Sequence, residues 1–194
     1  MKRIYTIHII ILFLFSVSAN SQEHKSIYSG GMLILQPGYS MSSNEHQEIR
    51  ETGMGIGGIL RLYPLKNLTV GIYGGSQRTT YNSTNSENSY LNLGYGGPFV
   101  GYSRKSGRFR YTASAFVGMG SVKNLHIESQ NGNVLTESYL YKHSAKVFSP
   151  ILSLDYAMTQ KISLTLQTVC LIATYDEGKM LYNPILQIGV LFNR

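Results

Sequence analysis

Residues 161–175 read KISLTLQTVCLIATY, and apolar and polar side chains alternate along the first part of this stretch. Ile162, Leu164 and Leu166 fall on one face of an extended chain, and the residues between them are Ser, Thr and Gln. A period of two predicts a β-strand with one apolar and one polar face. The polar face lacks the Lys and Glu of a sheet surface that faces water. We therefore expect the apolar face to point outward and the polar face to line a narrow barrel.

The same period recurs along the chain from residue 30 onward, without apolar residues at helical spacing. The predicted strands are residues 30–39, 52–62, 68–77, 90–102, 109–122, 139–156, 161–175 and 182–193. Each is at least as long as the about 9–11 residues that a tilted strand needs to cross a bilayer. The pattern predicts an all-β fold, an eight-stranded antiparallel up-and-down transmembrane β-barrel.

The connections between these strands alternate strictly between short and long. The short turns are residues 63–67, 104–108 and 158–160, and the connections that are mostly longer are residues 40–51, 78–88, 123–137 and 176–179. The short turns carry Lys and Arg without acids, whereas eight of the ten acidic residues lie in or beside the other set. Short turns on one side and longer loops on the other are typical of a barrel that spans a membrane.

The chain begins with the three parts of a secretory signal peptide. Met1-Lys2-Arg3 is positively charged, residues 4–17 are almost wholly apolar, and small residues follow up to residue 21. The apolar run is shorter than the roughly 20 residues of a membrane-spanning helix. We expect a signal peptide at residues 1–21 and a barrel domain at residues 22–194.

Composition excludes several other classes of protein. The chain has 194 residues and a single cysteine, Cys170, which excludes an internal disulfide framework and a cysteine zinc cluster. Its formal net charge is +7, but an exported chain rarely meets nucleic acid, so we expect no nucleic-acid partner.

Alternation places Arg61, Arg110 and Asp155 on the inner face near the short turns. Charges in a narrow lumen should pair, because burial of an unpaired charge is expensive. We expect an interior charge network that plugs the barrel. Pro37, Pro98, Pro150 and Pro184 conflict with the strands that contain them, and we expect them at bulges or near strand ends.

Aromatic residues cluster near both ends of the predicted strands, as in the interfacial girdles of membrane barrels. Near the short turns they are Tyr102, Phe109, Tyr111, Tyr156 and Phe192. Near the loops they are Tyr39, Tyr81, Tyr90, Tyr139, Tyr141, Tyr175 and Tyr182.

The whole mature chain resembles the small eight-stranded outer-membrane barrels of Gram-negative bacteria, the OmpA/OmpX/PagP class. Gln187, Gly189 and Phe192 match the terminal strand motif of such barrels, although Arg194 replaces the final aromatic residue. The resemblance implies recognition by the barrel-insertion machinery and contact with outer-membrane lipid and lipopolysaccharide. The opening GGMLILQPGYS at residues 30–40, with Gln22 after a small-residue cleavage site, resembles barrels of the Bacteroidetes type.

Candidate catalytic groups are poorly placed. His143 and Ser144 are adjacent, so on a strand they point to opposite faces. His126 and Ser129 fall in a polar connection, and the histidines lack the paired spacing of a metal site. We predict no catalytic residues, no cofactor and no metal ligands.

Two function classes and a third architecture remain open. The first is a non-enzymatic outer-membrane barrel whose loops serve envelope structure or contact with an extracellular or host partner. The second is a lipid A-modifying enzyme of the same membrane. The third is a secreted barrel of the lipocalin type, which would need its apolar face inside.

Overall fold

The computed structural model describes residues 29–83, 86–132 and 134–193. Eight antiparallel strands form a closed ring in chain order, and β1 pairs with β8 to complete it. The strands are β1 (Ser29–Ser43), β2 (Glu48–Leu65), β3 (Leu68–Ser83), β4 (Ser86–Ser106), β5 (Phe109–Asn131), β6 (Val134–Ala157), β7 (Ile162–Tyr175) and β8 (Lys179–Asn193). A short 3₁₀ turn (Asp176–Gly178) joins β7 to β8. The eight-stranded antiparallel barrel expected from the sequence is confirmed. The predicted signal peptide lies outside the described residues.

The faces of the strands follow the alternation in the sequence. Leu164 and Ile188 are 44% and 48% exposed on the outside of the ring, whereas Thr165 and Gln167 are buried inside it. The outside is therefore apolar, contrary to what a lipocalin-type barrel requires. Within residues 29–83, 86–132 and 134–193, no helix is long and apolar enough to span a membrane.

The expected long loops are mostly strand, which corrects the sequence analysis. The described residues of 40–51, 78–88 and 123–137 belong mostly to paired strands, and β1 is joined to β2 by Asn44–Gln47 alone. These segments read as loops because their side chains are polar. Beyond the apolar slab, two strands can remain paired through their backbones although neither has an apolar face. The amino-acid composition of these segments therefore did not indicate strands.

The four prolines lie inside strands without a bulge, so the expectation that they sit at bulges or strand ends is wrong. Pro98 keeps its register with Ile72 of β3, and the ladder to β5 is interrupted only between Gly96 and Phe99. Pro150 likewise pairs with β5 and interrupts the ladder to β7. Because proline lacks one N–H, it breaks the pairing on one side of its strand and leaves the other side intact.

Pro37 and Pro184 interrupt the ladder between β1 and β8 at two places. The gap at Pro37 lies between the pair Leu35 with Ile188 and the pair Gly38 with Ile185. The gap at Pro184 lies between that second pair and the pair Met41 with Tyr182. The register is the same across both gaps, so closure of the ring survives them. Each proline thus removes a short part of the β1–β8 ladder, while the pairing of Pro37 with β2 and of Pro184 with β7 continues.

Two of the tyrosines assigned to the girdles point inward instead. Tyr81 is 3% exposed and Tyr175 is 9% exposed, and both belong to the buried core of the ring. Tyr81 has the same parity as Tyr73 and Gln77, which are also buried. Proximity to a strand end suggested a girdle, but parity decides the face.

Candidate functional site

The lumen near the short turns is closed by a charged pair. Arg61, on β2, donates from Nη1 to both carboxylate oxygens of Asp155 on β6, at 3.0 and 2.9 Å. Its Nη2 donates to Ser153 Oγ at 2.9 Å and to Gln167 Oε1 at 2.7 Å. Thr165 Oγ1 adds a hydrogen bond of 2.7 Å to Asp155. The pair therefore crosses the barrel with both of its charged groups bonded.

Arg110 lies beside this pair but makes a different contact. It is opposite Asp155 in the β5–β6 register and is half-buried. Its guanidinium carbon lies 4.1 Å from the centre of the Tyr63 ring, which is a cation–π distance. The interior charges are thus divided between an ion pair and an aromatic stack.

A second polar layer lies above the ion pair. Gln36 Oε1 accepts hydrogen bonds from Gln187 Nε2 at 2.8 Å and from the Tyr95 hydroxyl at 3.0 Å. The hydroxyls of Tyr95 and Tyr73 lie 2.8 Å apart, and Gln187 also bonds to Tyr73 and Gln167. These side chains come from β1, β3, β4, β7 and β8. They fill the cross-section of the ring at mid-height.

The residues of the terminal strand motif have three different environments. Gln187 is fully buried in this polar layer, and Phe192 is 57% exposed on the outer face. Gly189 faces Met32 and Leu33 of β1, where an added Cβ would lie 2.6 Å from the Leu33 carbonyl oxygen. The motif therefore combines an interior hydrogen-bonding group, a close approach of two strands and an outward ring.

At the opposite end of the barrel, β4, β5 and β6 extend past the other strands. They have 21, 23 and 24 residues, against 14 in β7. Within the described residues, β6 pairs with β7 only from Ala145 to Ala157, so residues 134–144 pair with β5 alone. Val134 and Leu140 on this extension are 68% and 66% exposed. The β5–β6 hairpin thus presents a strand edge and apolar side chains at the mouth of the barrel.

Charged side chains bridge the mouth on the side of β8. Lys179 Nζ lies 2.8 Å from Asp176 Oδ2 and 3.7 Å from Glu45 Oε1. The hydrogen bond from Lys179 lowers the pKa of Asp176 and raises the pKa of Lys179 itself. His143 Nδ1 lies 3.5 Å from the other oxygen of Asp176. These contacts hold the β1–β2 and β7–β8 connections together.

The candidate catalytic pairs do not assemble. His143 is half-buried and lies beside Asp176, whereas Ser144 is exposed on the next position of β6. The ring nitrogens of His126 lie near Tyr81 and Glu128, at 3.4 and 3.1 Å.

The structure also brings His46 to His126, which the sequence analysis missed. Their rings stack with centroids 4.1 Å apart. His46 lies in the β1–β2 connection and His126 in β5, so no local spacing in the sequence could have shown the contact.

Comparison with known proteins gives a likeness in fold. No family model matches the chain, and no curated protein matches it. It is similar to the crystal structure of Neisserial surface protein A, with a TM-score of 0.58 and 10% identity over 84% of this chain and 96% of that one.

Two further outer-membrane structures show the same likeness. Ail, the attachment invasion locus protein of Yersinia pestis, in complex with the heparin analogue sucrose octasulfate, has a TM-score of 0.57 and 9% identity over 88% of this chain and all (100%) of that one. The outer-membrane protein OprG of Pseudomonas aeruginosa has a TM-score of 0.53 and 10% identity over 89% of this chain and 98% of that one. At these identities, the comparisons establish the fold of small outer-membrane β-barrels.

Proposed function

We propose that this chain is a non-enzymatic protein of the bacterial outer membrane whose β5–β6 hairpin contacts an extracellular or host partner. The observation that carries the proposal is the unpaired edge of β6 at residues 134–144. An exposed edge presents unused N–H and C=O groups that an extended peptide can pair with. Val134, Leu135 and Leu140 supply apolar side chains beside that edge. The partner chemistry that fits is therefore an extended polypeptide segment.

The membrane location is supported by the outer face of the ring. Large apolar side chains such as Leu33, Ile72 and Leu152 are at least 60% exposed there, which would be costly in water and is favourable in lipid. At one end of the ring the short turns carry Lys66 and Lys161, and Arg104 lies close to the end of β4. This arrangement fits an apolar slab with hydrated layers on both sides. Outer-membrane lipid and lipopolysaccharide are then the surroundings of the barrel.

The lumen serves as a structural plug in this proposal. An eight-stranded ring has an interior just wide enough for side chains. Here the Arg61–Asp155 pair and the layer of Gln36 and Gln187 occupy that interior. We expect no large, stable single-channel steps in planar bilayers, and such steps would contradict the plug.

Two parts of the proposal rest on sequence resemblance. Gln187, Gly189 and Phe192 would form the signal read by the barrel-insertion machinery. The assignment to the Bacteroidetes type rests on the resemblance of residues 30–40 alone. The matched structures named above come from Neisseria, Yersinia and Pseudomonas.

The hairpin can be tested by shortening it. Replacement of residues 127–138 by a two-residue Asn-Gly turn removes the projecting tip and preserves the β5–β6 register below it. We expect normal outer-membrane fractionation and heat-modifiable migration on a gel, together with loss of adherence of expressing cells to immobilised extracellular-matrix proteins. Unchanged adherence would contradict the hairpin as the contact surface. Failure of the shortened chain to insert into the membrane would contradict the premise that the barrel folds without the tip of the hairpin.

A second test keeps the hairpin and changes only the edge of β6, with Leu140→Ala as the matched control for Leu140→Pro. Leu140→Pro removes one N–H of β6 within residues 134–144 and should reduce adherence, whereas Leu140→Ala should reduce it less. Equal effects of the two would overturn strand addition in favour of an apolar contact. Mass spectrometry of lipid A from a deletion strain tests the enzymatic alternative, because an altered acyl pattern would contradict a non-enzymatic role.

A further inference from the structure

Three side chains of the types that bind metal ions lie together at the mouth of the barrel, outside the β6 edge at residues 134–144 that carries the proposed contact function. His46 lies between β1 and β2, and His126 and Glu128 lie in β5. Their candidate ligand atoms all lie within 4.8 Å of one another. We propose that these three residues bind a divalent transition-metal ion, with Zn²⁺ as the best fit. The proposal departs from the sequence-based expectation of no metal ligands, since the ligands meet only in the folded ring.

The inner ring nitrogens converge on one carboxylate oxygen. Glu128 Oε2 lies 3.1 Å from His126 Nε2 and 3.6 Å from His46 Nδ1. The two imidazole rings are stacked, with planes 9° from parallel and centroids 4.1 Å apart. Because the lone pair of a ring nitrogen lies in the plane of the ring, one imidazole must tilt out of the stack for both nitrogens to bind the same ion. Bonds of about 2.0–2.2 Å in a tetrahedral zinc site separate the ligand atoms by about 3.4 Å. The two distances to Glu128 Oε2 are close to that value, so the main adjustment needed to accept the ion is a rotation of the His46 ring, which lies in a connection.

The outer nitrogen of His126 is oriented by a tyrosine. His126 Nδ1 lies 3.4 Å from the Tyr81 hydroxyl, which donates its own hydrogen to Asn124 Oδ1 at 2.7 Å. Because that hydrogen is already used, the hydroxyl can accept the Nδ1–H of His126. This tautomer leaves a lone pair on Nε2, the nitrogen that faces Glu128. Metal-binding histidines commonly have their second nitrogen held by an outer partner in this way.

His46 has the same arrangement at the other side of the cluster. Its Nε2 lies 3.1 Å from the Tyr141 hydroxyl, and that hydroxyl donates to Glu45 Oε2 at 3.5 Å. Tyr141 can then accept the Nε2–H of His46, which leaves the lone pair of Nδ1 directed inward. A divalent metal ion between these groups would accept the lone pairs of both imidazole nitrogens. Its positive charge would also offset the negative charge of the Glu128 carboxylate.

Access and ligand type favour a transition metal. His126 is 2% exposed, whereas the side chain of Glu128 is 45% exposed, and the cavity of about 120 Å³ beside them also contacts Gln47 and Ser83. The buried imidazole can be reached from solution through this cavity. Two nitrogen ligands favour Zn²⁺ over Ca²⁺ or Mg²⁺, which prefer oxygen. Three protein ligands leave a fourth position for water.

Zinc titration of the folded chain in detergent, after treatment with a chelator, tests the site. We expect one Zn²⁺ per chain by calorimetry, and at least about tenfold weaker binding in His46→Ala and in Glu128→Gln. Co²⁺ in place of Zn²⁺ should give the visible absorption of a tetrahedral site, and His46→Ala should abolish it. His46 bears the main test because it lies in a connection, whereas replacement of the buried His126 could prevent folding.

Matched histidine variants separate this site from adventitious binding. His143→Ala removes a third histidine at the mouth, beside Asp176, and His24→Ala removes a histidine that precedes β1 in the sequence. Neither should change zinc affinity or the cobalt spectrum. Absence of stoichiometric binding, wild-type binding by His46→Ala and Glu128→Gln, or loss of binding in His24→Ala would each overturn the proposal. Adherence of expressing cells is measured separately, so failure of the hairpin function leaves this result readable.

Discussion

Breaking the ion pair inside the barrel should be costly only when one partner is left behind. Arg61 is 1% exposed and Asp155 is 4% exposed. If Arg61 is replaced, bulk water therefore cannot solvate the Asp155 carboxylate in place of the guanidinium. Removal of one member of a buried pair typically destabilises a protein by about 3–5 kcal/mol. In Arg61→Met, Asp155 keeps its hydrogen bonds from Thr165 at 2.7 Å and Ser153 at 3.2 Å. We therefore expect a loss near the lower end, about 3 kcal/mol.

Replacement of both partners should recover most of that loss. Arg61→Met combined with Asp155→Leu leaves neither partner of the pair charged, and we expect a free energy of unfolding within about 1 kcal/mol of the wild type. The two single variants and the double variant form a cycle whose interaction energy isolates the pair. The chain has no tryptophan, so urea unfolding in phospholipid vesicles is best followed by circular dichroism. A cost below about 1 kcal/mol for Arg61→Met, or a double variant as unstable as the sum of the single variants, would refute the reasoning.

Three other perturbations have defined outcomes. Gly71→Ala should destabilise the barrel by about 1–3 kcal/mol in the same urea assay, because its Cβ would lie 1.9 Å from a backbone oxygen of β2. In the control variant Gly31→Ala, the added Cβ has no heavy atom within 4 Å, so the free energy of unfolding should not change. Phe192→Ala should lower the amount of barrel assembled in cells without lowering the yield of refolding in vitro, and equal losses in both would contradict a role in recognition. Asp176 has a lowered pKa because Lys179 donates to it, so its stabilisation is present above the ordinary carboxyl pKa and is lost as the pH falls through the lowered value. The difference in melting temperature between wild type and Asp176→Asn should accordingly narrow below about pH 4, and a difference that widens there would contradict the sign.

The sequence predicted the ring well because each strand carries its own evidence. The alternation of Leu164, Thr165 and Leu166 assigns a face without knowledge of any neighbour. The same parity rule, applied to Tyr81, would have placed it in the lumen. The error there came from reliance on distance along the strand.

The prediction of strand bounds failed where it relied on the amino-acid composition of a segment. Polar segments such as residues 123–137 read as loops, although they continue β5 and β6. Pro98 read as a defect, although it interrupts only the ladder on the side of β5. In both cases backbone pairing, which leaves little trace in side-chain composition, decided the structure.

By itself, the sequence determined the number of strands, the face of most side chains and the apolar outside of the ring, because these depend on a period of two within each strand. Only the tertiary structure decided which side chains meet. Arg61 reaches Asp155, and His46 reaches His126, because strand register and closure of the ring bring together residues that are far apart in the chain. Register is a property of pairs of strands, and a single strand does not contain it.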